Sequence, residues 1–319
     1  MTTRTDPFTQ KSEPPDRLFF ATGVMLDAQD FEAEQLYHRG RLARALAYTF
    51  GSGTVAGLGV AWASNRLDAL NQPIPGTDRV SVEPGMAIDR LGRIIELPRA
   101  ACLRLQKWYD AQSDTALAES YRTGVSVVAD QMTQVVTAEG GIEWTITAGS
   151  ASAQVDGVVV DVFVRFVACE RGKTPAFAAG PFDALDAVQP SRLRDGYELT
   201  LVPRRVTNPD MPVPSLRHVP SSANTGAERR AHAEDAILAG WRELRDWTNG
   251  GLIRDVEQPA TEDPTILFLA RMVLPATLTP GVMRPVRTQN APVLVNNHLR
   301  RFVVTGGALG DAFSWARIP

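Results

Sequence analysis

Cysteine, histidine and long apolar runs are all scarce in this sequence of 319 residues. Its two cysteines, Cys102 and Cys169, lie far apart, so neither a disulfide framework nor a Cys-x-x-Cys zinc site is expected. No window approaches the ~20 consecutive apolar residues of a transmembrane helix, and the polar N-terminus lacks the apolar core of a signal peptide. We therefore expect synthesis in a reducing cytoplasm, without a signal peptide and without membrane insertion.

A surplus of basic residues is also absent. The formal net charge is −3 and the isoelectric point is about 5.9, whereas general nucleic-acid binders usually carry a clear positive surplus. The hydrophobic fraction of 44% and the charged fraction of 22% are ordinary for a globular protein. The composition therefore allows a hydrophobic core without metal or disulfides, and it disfavours nucleic acid as a partner.

Catalytic and metal-binding motifs are missing as well. The four histidines form no His-x-x-x-His pair, and neither a Gly-x-Ser-x-Gly elbow nor a phosphate-binding loop occurs. Gly57-Leu58-Gly59 lacks the third glycine of the Gly-x-Gly-x-x-Gly spacing that binds dinucleotides. We therefore interpret it as a tight crossing of two backbone segments. We predict no catalytic residue, no metal ligand and no cofactor.

Pairs of carboxylates could in principle perform acid–base chemistry, but here each has a simpler structural explanation. Asp27 and Asp30 are spaced to cap the start of a helix. Asp156 and Asp161 bracket four residues, Gly-Val-Val-Val, and would most simply flank a strand and its turn. A glycosidase pair is not suggested by these positions.

The most informative stretch of the chain runs from Leu18 to Val60. Its pattern predicts a strand, a turn, one long helix that begins after Asp27, a glycine stop at Gly51 and Gly53, and a second strand. Four large apolar residues recur at roughly helical spacing, although Gln35 and His38 interrupt them: Phe31, Leu42, Leu46 and Phe50. This unit carries no catalytic motif and is typical of a scaffold.

Two groups of residues are candidates for contact with other proteins. Arg39, Arg41 and Arg44 lie in the later half of the predicted helix, where they could be solvated, paired within the chain, placed at an intersubunit contact or in contact with nucleic acid. Trp241 and Trp247 lie six positions apart, so they do not share one helix face, and at least one could be exposed to a partner instead of the core.

The remainder of the chain is mainly β in pattern. Residues 79–97 predict a β-meander that pairs with Val55–Val60, residues 106–122 a short helix with a loop, and Val158–Val167 a central strand. Residues 265–276 predict another buried strand. The fold class is therefore α+β, mostly antiparallel β, with a long N-terminal helix and a second helix in the C-terminal third.

The composition divides the chain into five parts. Pro14–Pro15 marks the N-terminal arm, four prolines mark the linker, and the helix predicted after residue 226 begins the C-terminal part. The parts are an extended N-terminal arm (1–17), a strand–helix–strand and meander unit (18–112), a β-rich domain (113–206), a proline-rich linker (207–226) and a C-terminal helix with strands (227–319).

Three short sequence runs follow one another within residues 18–105. The first is Leu-x-Ala-x-Asp-Phe-x-x-Glu-Gln-x-Tyr, formed by Leu26, Ala28, Asp30, Phe31, Glu34, Gln35 and Tyr37. The second is Val-x-Gly-Leu-x-Val, formed by Val55, Gly57, Leu58 and Val60, and the third is VEPGMAIDRLGR. Together these runs resemble a family of proteins encoded with contractile phage tails and phage-tail-like injection systems. SRLRDGYELTLV and ILFLARMVLP resemble the family more loosely.

The resemblance implies a structural protein of a tail or baseplate, not an enzyme. It implies assembly with copies of itself and with neighbouring tail proteins, and location in a virion tail or tail-like particle. A different class remains open, a carbohydrate-binding or carbohydrate-processing protein built on the central β region, whose sign would be an exposed aromatic such as Trp144 beside carboxylates. A protein that merely shares the N-terminal unit is the third possibility.

Overall fold

A computed structural model describes most of the chain and defines three helices and sixteen strands within that part. The described residues are 17–23, 25–128, 131–136, 142–147, 152–175, 188–205, 225, 227–228, 231, 245–246, 251–252, 258, 262–289, 291–297 and 299–303. The helices are α1 (Ala28–Thr49), α2 (Leu105–Asp110) and α3 (Asp114–Glu119). The strands are β1 (Gly53–Gly57), β2 (Val60–Ala63), β3 (Arg79–Val82), β4 (Gly85–Ile88), β5 (Ile94–Leu97), β6 (Ala101–Arg104), β7 (Tyr121–Val128), β8 (Gln131–Val136), β9 (Ile142–Thr147), β10 (Ser152–Pro175), β11 (Val188–Pro203), β12 (Arg245–Asp246), β13 (Gly251–Leu252), β14 (Leu267–Thr277), β15 (Val286–Arg287) and β16 (Leu294–Asn296).

The sheets confirm the prediction of mostly antiparallel β structure. Strands β1, β4 and β5 form one three-stranded sheet, and β2, β3 and β6 form another. The largest sheet runs in the order β11-β10-β14-β15, with β7 also paired to β10 and β16 also paired to β14. All strand pairs in the described residues are antiparallel.

Helix α1 begins and ends where the sequence predicts. The Asp27 side chain accepts hydrogen bonds from the backbone N–H of Gln29 and Asp30, and the Asp30 carboxylate accepts one from the Asp27 N–H, which completes a capping box. After Phe50, Gly51 takes a left-handed conformation with φ of +74°. The strand predicted before the helix is wrong, because residues 17–21 are irregular and pair with no strand in the described structure.

Asp27→Ala is expected to loosen the first turn of α1. Asp27 Oδ1 accepts hydrogen bonds of 2.8 and 3.1 Å from the first turn, and losing such a cap costs about 1 kcal/mol. Hydrogen exchange of the amides in that turn should become about fivefold faster. Thr49→Ala, at the other end of the helix, should leave those rates unchanged, and equal rates for Asp27→Ala and wild type would contradict the capping role.

The predicted tight crossing at Gly57 is confirmed. Gly57 has φ of +63°, and a Cβ there would lie 2.1 Å from the carbonyl oxygen of Pro84. Leu58 follows in the same left-handed region with φ of 57° and is fully buried. These residues divide the predicted Val55–Val60 strand in two, so β1 pairs with β4 while β2 pairs with β3.

Strand β10 is the centre of the largest sheet, as predicted from its apolar run. Its buried side chains include Val158, Val160 and Val162, which join a hydrophobic core that extends from Leu58 to Val295. The predicted buried strand at residues 265–276 is β14, all of whose residues except Thr277 are buried. One core therefore includes residues from the early meander, the middle sheet and the late strands, and the division of the chain into five parts stays a prediction.

The polar segment at residues 106–122 forms two short helices, α2 and α3, where one short helix and a loop were predicted. In the C-terminal third, Ala227, Glu228 and Ala231 are helical, but Arg245–Asp246 pairs with Gly251–Leu252. The predicted helix is thus wrong at its C-terminal end, because that end forms a short β-ladder. The rest of that helix, residues 1–16 of the predicted arm and nearly all of the linker lie outside the described residues.

Candidate functional site

Helix α1 exposes the large apolar side chains that a surface helix normally turns inward. Phe31 and Leu42 are each 57% exposed, and Phe50 is half exposed. Of the 22 residues of α1, all of which the structure describes, only Ala43 is buried. An amphipathic helix of this length usually covers its apolar stripe with its own core. Within the described part of this chain, Phe31, Leu42 and Phe50 are left uncovered, whereas Leu46 is half-buried.

The segment before α1 adds to this exposed apolar surface. Phe19 and Phe20 are largely exposed, and Met25 is 94% exposed. Residues 17–50 are called the α1 segment from here on. Single exposed apolar residues are common on proteins, whereas many along one short segment are typical of a protein–protein contact.

The described body of the protein meets α1 at the turn between β4 and β5. Gly92 lies in that turn with φ of +86°, and a Cβ at Gly92 would lie 1.7 Å from the carbonyl oxygen of Ala43. A glycine and an alanine thus allow the helix backbone and the turn to touch. The same contact leaves the side of α1 that bears Phe31 and Leu42 facing away.

The turn that supports α1 is held rigidly by a buried carboxylate. Asp89 accepts hydrogen bonds from the backbone N–H of Leu91 and Arg93 at 2.9 and 2.8 Å, and from Arg93 Nε at 2.6 Å. Burial raises the pKa of Asp89 above its usual value, although the neighbouring Arg93 acts in the opposite direction. These hydrogen bonds to Asp89 lie on both sides of Gly92 and fix its position in the turn.

The predicted arginines lie on α1, and the structure describes their surroundings. Arg39 and Arg41 are exposed, and Arg44 is half-buried. One turn earlier, the carboxylate of Glu34 lies 2.8 Å from His38 Nε2, as the spacing of four residues suggests. The second oxygen, Glu34 Oε2, has no hydrogen-bond partner within the described structure. Trp241 and Trp247 lie outside the described residues, so their predicted contacts remain predictions.

A buried ionic cluster that the sequence reading missed lies within the large sheet. Asp161 is fully buried, and its two carboxylate oxygens accept hydrogen bonds from Arg271 at 2.7 and 2.9 Å. Arg204 Nε lies 3.5 Å from the same carboxylate. The expectation that Asp156 and Asp161 flank a strand end is wrong, because β10 runs continuously through both residues. The available signal was an aspartate within the mostly apolar run from Val158 to Val167.

Further buried polar contacts join the late strands to the early meander. Arg287 forms a buried ion pair with Asp78. The side chain of Asn297 accepts from Val60 N–H at 2.9 Å and donates to the Val60 carbonyl at 3.0 Å. Arg300 donates to the carbonyl of Leu58 at 2.7 Å. Residues more than 200 positions apart are thereby held in one rigid arrangement.

Buried Tyr109 belongs to the same framework. Its hydroxyl donates to the carbonyl oxygen of Pro285 at 2.8 Å, and burial raises the pKa of Tyr109 to about 12. It therefore stays protonated at neutral pH and serves as a hydrogen-bond donor. Both cysteines, Cys102 and Cys169, are free thiols.

The described residues contain no cluster of three or more His, Cys, Asp or Glu side chains that could hold a metal ion. The deeply buried carboxylates Asp78 and Asp161 are engaged by arginines. The side chain of Trp144, the predicted sign of a carbohydrate site, lies outside the described side chains. Among the helices that the structure describes, none is sufficiently long and apolar to span a bilayer. The feature that remains is the exposed α1 segment on a rigid body.

Comparison with known proteins identifies no family for this chain. A scan against protein-family models found no match for this chain, and a search of curated proteins found no similar sequence.

Proposed function

We propose that this chain is a non-enzymatic structural component of a phage tail or phage-tail-like baseplate, which acts by assembly with copies of itself and with neighbouring tail proteins. The exposed α1 segment is the observation that carries the proposal. The resemblance of residues 18–105 to tail-associated proteins specifies the kind of particle.

Burial of the α1 segment is the physical basis of the proposed assembly. Each large apolar side chain that passes from water into an interface contributes roughly 1.5–3 kcal/mol when it becomes fully buried. Phe31 and Leu42 each have more than half of their surface still exposed, so a partner could gain much of this contribution. Aromatic and arginine side chains are also the residues that protein interfaces favour.

The buried polar contacts support the same proposal because they make the body of the protein rigid. A tail component must hold its binding surfaces at fixed positions while force passes through the particle. The Asp161–Arg271 pair and the Arg287–Asp78 pair join distant parts of the chain through charge-assisted hydrogen bonds. They would keep the body rigid while α1 contacts a neighbour.

The combined variant Phe31→Asp with Leu42→Asp tests this proposal in cells that make tail-like particles. We expect at least a tenfold loss of the variant from purified particles, because two charged groups would replace the apolar contact. The measurement is quantitative mass spectrometry of the particles, with the amount of soluble protein as the reference.

The matched control is Leu70→Asp with Met283→Asp, since these two side chains are also exposed but lie outside the α1 segment. The control should enter particles at the wild-type level. Equal incorporation of the α1 variant and the control would contradict a role for α1 in assembly.

A further inference from the structure

A straight stripe of residues runs along the outer side of α1. At about 100° of rotation per residue, six exposed positions lie within about 40° of one line along the helix. They are Phe31, Gln35, His38, Leu42, Ala45 and Thr49. Their spacing alternates between four and three residues, which is the spacing of the contact seam in paired helices. Ala43, which contacts the body, is turned about 120° away from this line.

The stripe is complementary to itself when it is read in the opposite direction. If Phe31 is placed opposite Leu42 of a second copy, Gln35 falls opposite His38 of that copy, and the reverse pairs follow by symmetry. The two outer pairs join an aromatic to an aliphatic side chain, and the two inner pairs join an amide to an imidazole that can hydrogen-bond. A two-fold axis between the helices would produce all four pairs.

The charges beside the stripe match the same alignment. Glu34 and Arg41 lie on one flank of the stripe, while Glu32 and Arg39 lie on the other. In an antiparallel pair with two-fold symmetry, each flank meets the same flank of the second copy. Glu34 then lies about 3 Å along the helix axis from Arg41 of the other copy, a distance that both side chains can span.

A parallel pair would have the opposite electrostatics. It would place Glu34 beside Glu32 of the second copy and Arg41 beside Arg39, so each flank would bring like charges together. We therefore propose that α1 is a self-association surface, through which two copies pair by antiparallel α1 helices with Phe31 opposite Leu42. This inference rests on the proposed assembly function and names one of its contacts.

The test uses charge reversal and the full chain. Sedimentation velocity over a range of concentrations should detect a dimer of the wild-type protein. Glu34→Arg and Arg41→Glu, each alone, should raise the dimer dissociation constant by roughly tenfold or more, because each brings like charges together twice. An equal mixture of the two variants should form a heterodimer, because every reversed charge then meets its opposite. Circular dichroism of each variant checks that α1 remains folded.

Glu96→Arg is the matched control for Glu34→Arg, since Glu96 is exposed on β5 and both substitutions change the net charge by the same amount. It should dimerise like the wild type. A wild-type monomer at every concentration, single variants that dimerise normally, or a mixture that stays monomeric would each overturn the helix pair.

The helix pair and the proposed function can fail separately. A chain that is monomeric in solution but present in tail particles would overturn the pair alone. A chain that dimerises as described but is absent from every particle would overturn the tail function alone.

Discussion

Asp161→Ala is expected to lower the free energy of unfolding by about 3–5 kcal/mol. The fully buried carboxylate of Asp161 accepts two hydrogen bonds from Arg271 and lies near Arg204. Its removal would leave positive charge in the protein interior without compensation, and this desolvation penalty exceeds the value of the lost contact itself. Urea unfolding followed by circular dichroism measures the change.

Glu198→Ala provides the matched control on the same sheet. Glu198 pairs with Arg165, but both side chains are well exposed, so the loss should not exceed about 1 kcal/mol. Equal destabilisation by Asp161→Ala and Glu198→Ala would contradict the buried-cluster account. It would mean that water reaches the arginines near Asp161.

Gly92→Ala is expected to separate α1 from the body. A Cβ at Gly92 would lie 1.7 Å from the carbonyl oxygen of Ala43, and the backbone there has φ of +86°, which L-residues adopt at a cost of about 1–2 kcal/mol. The steric overlap adds about 1–3 kcal/mol unless the helix moves away. We expect faster hydrogen exchange along α1 and a lower unfolding free energy.

Gly281→Ala separates the conformational cost of Gly92→Ala from its steric cost. Gly281 has nearly the same φ, +84°, but an added Cβ would meet nothing within 4 Å. It should therefore show the conformational cost alone and leave exchange along α1 unchanged. If Gly92→Ala behaved like Gly281→Ala, the contact between the turn and α1 would not be what holds the helix.

Local features of α1 were predictable because local residues determine them. Asp27 and Asp30 cap the start of the helix through contacts that span three residues, and Gly51 takes the conformation that glycine favours. The irregular course of residues 17–21 was not predictable in the same way. An apolar run becomes a strand only if a neighbouring strand pairs with it, and the sequence does not show which neighbours are available.

The buried clusters depend on contacts far apart in the chain. Asp161 and Arg271 are 110 residues apart, and Asp78 and Arg287 are 209 apart. Arginine is common in the sequence, so no pattern identifies which arginine meets which aspartate. The mostly apolar run around Asp161 indicated burial, but the partners of Asp161 could be found only from the sheet that aligns β10 with β14.

The exposed stripe of α1 illustrates a third limit. Periodic apolar residues predict that one face of a helix needs cover, but they do not say whether the same chain supplies it. Here the contact through Ala43 and Gly92 directs Phe31 and Leu42 outward. The arginines Arg39, Arg41 and Arg44 were correctly placed on this helix, while their role at an interface remains a prediction.

Electron microscopy of tail-like particles from the source cells, with mass spectrometry of the same preparation, decides whether this chain assembles into a tail through α1. We expect this chain at a fixed ratio to the other tail proteins, with density from a neighbouring subunit covering Phe31 and Leu42 of α1. Intact particles that lack the chain, or that contain it with α1 facing solvent, would overturn the proposed assembly.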